Sequence, residues 1–114
     1  AEVESLLGRV DDGEQLLMLR SLRVGDHLEL GDLDGAERSL AEFADAAEEA
    51  QLPWFLWLAS GMACKIALLR GRFSECERLI EQTLATGRRT DHPNVDVLHA
   101  GQTTLLRIVQ GGLA

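Results

Sequence analysis

The chain repeats itself every forty residues. "LELGDLDGAERSL" from Leu28 to Leu40 returns as "LLRGRFSECERLI" from Leu68 to Ile80, and a third time begins as "IVQGGLA" at Ile108. Gly31, Gly71 and Gly111 fall in register, as do Leu33, Phe73 and Leu113, and Pro53 with Pro93. A recurrence of this length marks one supersecondary unit that cannot bury its apolar face alone, so neighbouring units must stack. The unit read here is a helix, a tight glycine turn, a second helix and a proline-marked return.

Helix boundaries follow from local chemistry. "DGAE" (Asp34 to Glu37) and "SECE" (Ser74 to Glu77) each place a side-chain acceptor three residues before a glutamate, the pattern of a capping box at a helix start. Pro53 and Pro93 suit the first turn of the following helices, where no amide donor is needed. Five helices are expected, over 14–30, 35–51, 54–70, 75–88 and 94–110, with 2–8 as the tail of an earlier one. The fold class is therefore all-α: antiparallel helix-pair repeats with a period of forty, an α-solenoid. The chain is one domain, 1–114, with units over 14–52, 53–92 and a partial 93–114, as expected of a piece of a longer array.

Apolar spacing assigns the faces. In the second helix of the first unit, Ala36, Leu40, Phe43, Ala44 and Ala47 recur at three and four residues, leaving Glu37, Arg38, Glu42, Asp45, Glu48 and Glu49 outward. The first helices align in four columns: Leu17, Trp57 and Val97; Ser21, Gly61 and Gly101; Val24, Cys64 and Thr104; Leu28, Leu68 and Ile108. These columns step by four, three and four residues, which is one helix stripe, read as packing between helices.

Charge narrows the function. The formal net charge is −8, against a direct nucleic-acid contact, which needs a concentrated basic face. Residues 1–52 carry fourteen acids and four arginines, a balance of −10, and residues 53–114 carry +2. The acidic half reads as solvated outer helix faces or an acidic docking surface. The most apolar run, Trp54 to Leu69, contains Lys65 and is shorter than the roughly 20 residues of a bilayer span. The opening "AEVESLLGRVDD" is acidic, unlike a secretory leader. A cytoplasmic protein with two reduced, buried thiols, Cys64 and Cys76, is the expectation.

Neither GxxxxGK[ST] nor GxGxxG is present, so no nucleotide is expected to be held by a phosphate loop. His27, His92 and His99 are dispersed, and no Cys/His spacing suggests a metal. No cofactor is expected, and the chain reads as non-enzymatic.

"GDLDGAERSL" and "GRFSECERLI" resemble the turn and second helix of tetratricopeptide (TPR) repeats, with a turn glycine, a small residue early in the second helix (Ala36, Cys76) and a large apolar residue four later (Leu40, Ile80). Gly25 matches that family's mid-helix glycine, whereas Lys65 and Leu105 depart from it, and forty exceeds the family's usual period of thirty-four. The longer run "QLPWFLWLASGMACKIALLRGRFSECERLIEQTLATGRRTDHPN" is similar to the C-terminal repeats of large actinobacterial signalling ATPases, including LuxR-type and MalT-like transcriptional regulators and cyclase–ATPase fusions. The resemblance implies a regulatory, ligand-sensing or partner-binding role in signal transduction.

A repeat stack offers an inner wall built by its first helices. The residues read as lining it are Leu19, Leu22, Asp26 and Glu29, then Met62, Ile66, Leu69 and Arg70, then His99, Gln102, Leu106 and Gln110. Of these, Asp26, Glu29, Met62, Arg70, His99 and Gln102 are the candidate binding residues, for a protein or peptide partner or a small amphipathic ligand. Exposed repeat ends imply self-association, possible as a homodimer. The alternative is a structural spacer between an ATPase and an output domain, with no ligand of its own.

Overall fold

The computed structural model describes residues 12–111. The expected helix tail at 2–8, Leu113, and the second glycine of the Gly111–Gly112 pair lie outside the described residues. Five helices follow one another: α1 (Asp12–Glu29), α2 (Leu33–Ala50), α3 (Pro53–Leu69), α4 (Phe73–Gly87) and α5 (Val95–Val109), with no strand among the described residues. Four of them begin one or two residues earlier than the sequence pattern suggests, and α5 begins one later.

The forty-residue period is written into the backbone. Gly31, Gly71 and Gly111 all take a left-handed conformation, with φ of 73°, 75° and 82°. Each ends a first helix, and the Gly31 amide bonds the Leu28 carbonyl at 3.1 Å while the Asp32 amide reaches back to the His27 carbonyl at 2.9 Å. The same pair of bonds recurs from Gly71 to Leu68 and from Arg72 to Ala67. This arrangement satisfies carbonyls that a helix end would otherwise leave open, and it needs a residue without a Cβ penalty at positive φ. The only non-glycine residues at positive φ among those described, Gln51 (52°) and Asp91 (55°), are also forty apart and close the second halves of the two units.

The turn relocates the caps. Because the chain enters the next helix directly after the glycine, the helix starts at Leu33 and Phe73, and Asp34 and Ser74 fall inside the first turn rather than at its cap. The cap of α2 is Asp32, whose Oδ1 accepts the Gly35 amide at 2.9 Å while Oδ2 lies 3.0 Å from His27 Nδ1. A Cβ on Gly35 would lie 2.2 Å from Asp32 Oδ2 and 2.5 Å from His27 Nδ1, so any larger residue there would have to displace the side chains that make this cap. In the second unit Arg72 occupies the cap position and provides no side-chain bond. Pro53 does open α3, but Pro93 precedes α5 by two residues, in a turn held by Thr90 and by His92 Nδ1, which accepts the Asn94 amide at 3.1 Å.

Consecutive helices pack on one another, and α1 also touches α3, the packing expected of a helical repeat. The core has two centres, each spanning the junction between one unit and the next. Leu17, Val24, Phe43, Ala47, Phe55 and Ala59 form the first, with Phe43 meeting Phe55 edge-on at 6.3 Å between ring centres. Cys64, Ala67, Cys76, Leu79, Ile80 and Leu106 form the second. Beside it, Thr83 Oγ1 donates to the Leu79 carbonyl at 2.7 Å, meets Ser60 Oγ at 2.6 Å, and lies 3.4 Å from Cys64 Sγ. A buried hydroxyl pair is tolerated because both groups are satisfied.

The four-column stripe is buried or half-buried on α1 and α3. On α5 its members Val97, Gly101, Thr104 and Ile108 are all exposed. No described helix is long and apolar enough to cross a membrane.

Candidate functional site

A groove of about 480 Å³ runs between α3 and α5. Gly61, Cys64, Lys65 and Leu68 form one bank, Val97, Leu98, Gly101, Gln102 and Leu105 the other, and Cys76 of α4 lies at its floor. It exists because two glycines at equivalent positions, Gly61 and Gly101, put no side chain into the space. A Cβ at Gly61 would meet Leu98 and Gln102 only at ordinary contact distances, 3.8 and 3.9 Å, and one at Gly101 would meet nothing within 4 Å. The lining is apolar except for Gln102 and Lys65. The Gln102 side-chain oxygen is buried and has no hydrogen-bond partner, which costs about 1–3 kcal/mol unless something donates to it. Lys65 stands exposed on the rim.

A smaller hollow of about 170 Å³ shares Gly61, Lys65 and Leu98 with this groove and adds Trp57, Leu58 and Met62. Its size is near that of an engineered apolar cavity that holds benzene, about 150 Å³, so it can take one ring or branched side chain.

Of the six residues read as binding candidates, the structure brings Met62 and Gln102 to these two adjoining hollows. Asp26 and Glu29 are exposed on α1 and line neither hollow. Arg70 is committed elsewhere: its Nη2 pairs with Asp34 and its Nε donates to Glu37 Oε1 at 2.8 Å, tying the end of α3 to the start of α2. The hydrogen bonds to Asp34 and Glu37 and their charges push the guanidinium pKa up, so Arg70 stays charged. Arg72 joins the same Glu37 oxygen at 3.3 Å. His99 faces α4, with Nε2 3.2 Å from Glu81 Oε1.

Two wall residues are corrected outright. Ile66 and Leu106 are buried in the core, while their chain neighbours Lys65 and Leu105 are exposed and line the groove. The expected wall sits one residue too far along each helix, and at 100° per residue that step exchanges surface for core. Lys65, Leu98 and Leu105 were in neither pattern, and Gly61, Cys64, Leu68, Val97 and Gly101, read as helix packing, line the groove instead. The signal was present in Lys65, a lone cation in an apolar helix, which has to point to solvent.

Other chemistry is limited to the thiols. Cys64 and Cys76 are free and buried, and Cys76 Sγ contacts the Cys64 carbonyl at 3.5 Å. Burial pushes both thiols up, so each resists ionisation in the folded chain. An unfolded thiol ionises near pH 8.5, below the folded value, so the unfolded state gains as pH rises past that point. The urea midpoint should therefore fall between pH 7.5 and 9.5, and this part of the fall should vanish in the Cys64→Ala/Cys76→Ala protein. An identical fall in that variant would contradict the assignment.

No group of three or more His, Cys, Asp or Glu side chains among the described residues could hold a metal ion. A second groove, about 370 Å³, lies between α2 and α4 over α3, with Glu37, Glu48, Arg72, Glu75 and Gln82 among its lining residues. Compared with protein-family models, with curated proteins and with solved structures, the chain matches none.

Proposed function

We propose that this chain is a non-enzymatic, TPR-like interaction or ligand-sensing module of a bacterial cytoplasmic transcriptional or signalling regulator, binding in the groove between α3 and α5. In a TPR-like solenoid these first helices line the concave side. The observation that carries the reading is the groove itself: an apolar trough within the roughly 300–1,000 Å³ of ligand sites, with Gln102 and Lys65 as its polar lining residues. The occupant is a peptide segment or a small amphipathic molecule that lays apolar groups on Leu68, Leu98 and Leu105 and its polar groups beside Gln102 and Lys65. Nucleic acid and membrane have no place in this role. The actinobacterial LuxR-type or cyclase–ATPase setting is what the resemblance of the Gln51–Asn94 run supports.

The test is amide NMR with a fragment library and a random twelve-residue peptide library as probes. Binders should move the signals of Gly61, Gly101 and the Gln102 side chain. Gly101→Leu, which fills the trough without touching another atom at Cβ, should weaken them at least tenfold while leaving the fold intact. Binders that ignore Gly101→Leu, or the absence of any binder, would sink the proposal and leave the spacer reading. That reading draws on the Arg70–Asp34–Glu37–Arg72 cluster, which stiffens the junction between units and engages Arg70 within the fold.

A further inference from the structure

The groove between α2 and α4 lies on the other side of α3 from the one that Lys65 rims. α2 and α4 each pack against α3 and leave a trough between them, floored by the small side chains of Ala59, Ala63 and Ala67. Helix spacing sets its walls: Glu37, Ala41, Ala44 and Glu48 step by four, three and four residues along α2, and Glu75 and Leu79 by four along α4. From Glu37 to Glu48 the trough runs about 16 Å at the rise of an α-helix. Its volume of about 370 Å³ is that of a small-molecule site.

The wall helices hold most of the chain's negative charge. α2 carries six acids and one arginine, a balance of −5, and α4 three acids and one arginine, a balance of −2, against −8 for the whole chain. Arg72 at the rim is engaged by Glu37, as is Arg70, and Lys65, the one charged residue of α3, stands on the other groove. No described basic side chain pairs with Glu48 or Glu75, and both are exposed. The Glu48 carboxylate accepts the neutral Gln51 amide at 3.0 Å, which leaves its charge uncompensated. Glu48 also sits in the last turn of α2, whose carbonyl end adds negative potential. We infer that this trough binds a small cationic amphiphile, an alkyl or aryl ammonium. The ammonium lies at the Glu48 end, and the apolar body covers Leu40, Leu56 and Leu79 above the alanine floor. An acidic-walled cleft concentrates such a cation and repels an anion of the same shape.

Octyltrimethylammonium, titrated to about 10 mM and followed by amide NMR, should bind with a Kd of about 1 mM. It should move the signals of Ala41, Ala44 and Ala63 and leave Gly61 and Gly101 in place. Octyl sulfate, with the same chain and the opposite charge, should move none of them. Glu48→Gln/Glu75→Gln should weaken binding about two- to fivefold, the scale of exposed charge pairs. Ala41→Leu, at an exposed position of α2, should weaken it further by filling the trough. Gly101→Leu should change nothing, which separates this trough from the α3–α5 groove. Equal binding of octyl sulfate, shifts centred on Gly61 and Gly101, α2 variants that bind as the wild type does, or no shift at all would each overturn the assignment.

Discussion

Phe43→Ala should cost the fold about 3–5 kcal/mol, a large part of the 5–15 kcal/mol that holds a domain together. Phe43 is fully buried at the centre of the first core, edge-on to Phe55, and the surrounding Leu17, Val24, Ala47 and Ala59 come from three different helices. These helices cannot collapse into the void without giving up their own contacts, so the cavity persists and adds to the lost transfer energy. Urea unfolding followed by helical circular dichroism checks it. Phe43→Leu, which keeps most of the volume, should lose less than half as much. A loss below 1 kcal/mol for Phe43→Ala would mean that α1, α2 and α3 do not converge there.

Gly87→Ala should destabilise by about 2 kcal/mol, against the usual gain of up to 1 kcal/mol when a helical glycine becomes alanine. The added Cβ would lie 2.7 Å from Val95 Cγ1 and 2.9 Å from Trp57 Cδ1 and Nε1. Trp57 cannot yield easily: its indole is buried and its ring lies 5.2 Å from that of His92. Gly101→Ala supplies the opposite sign, because its Cβ enters open space in the middle of α5 and should gain about 0.5–1 kcal/mol. Trp57 emission should shift in the first variant and stay put in the second. Equal effects at both glycines would contradict the close fit of α4, α3 and the turn into α5.

The forty-residue period, the helix pairs and most of the core were legible because they depend on spacing, and spacing survives in a single sequence. Gly31 and Gly71 announced their turns through the residue type that positive φ favours. What spacing does not carry is absolute phase. The wall was read through Ile66 and Leu106, one step away from Lys65 and Leu105, since a helix apolar on most sides, such as α3, gives no sharp boundary between core and groove. The caps were misplaced for a related reason: a glutamate three residues after Asp34 fits a capping box, but the preceding glycine turn had already started the helix at Leu33. Arg70 looked like a free binding cation because the acids that hold it, Asp34 and Glu37, lie more than thirty residues away in sequence. Gly87 drew no notice, as its role is to leave room for Trp57, a contact only the folded chain creates.

Both grooves follow from one claim, that the chain is built of forty-residue helix pairs with equivalent turns. Intraresidue amide–Hα NOEs test it most directly at Gln51 and Asp91, where no glycine forces the conformation. Strong NOEs at both residues, with weak ones at the flanking helical positions, are the expected result, since only positive φ brings those two protons close. A weak NOE at either residue would place it in the right-handed region and break the equivalence of the two units.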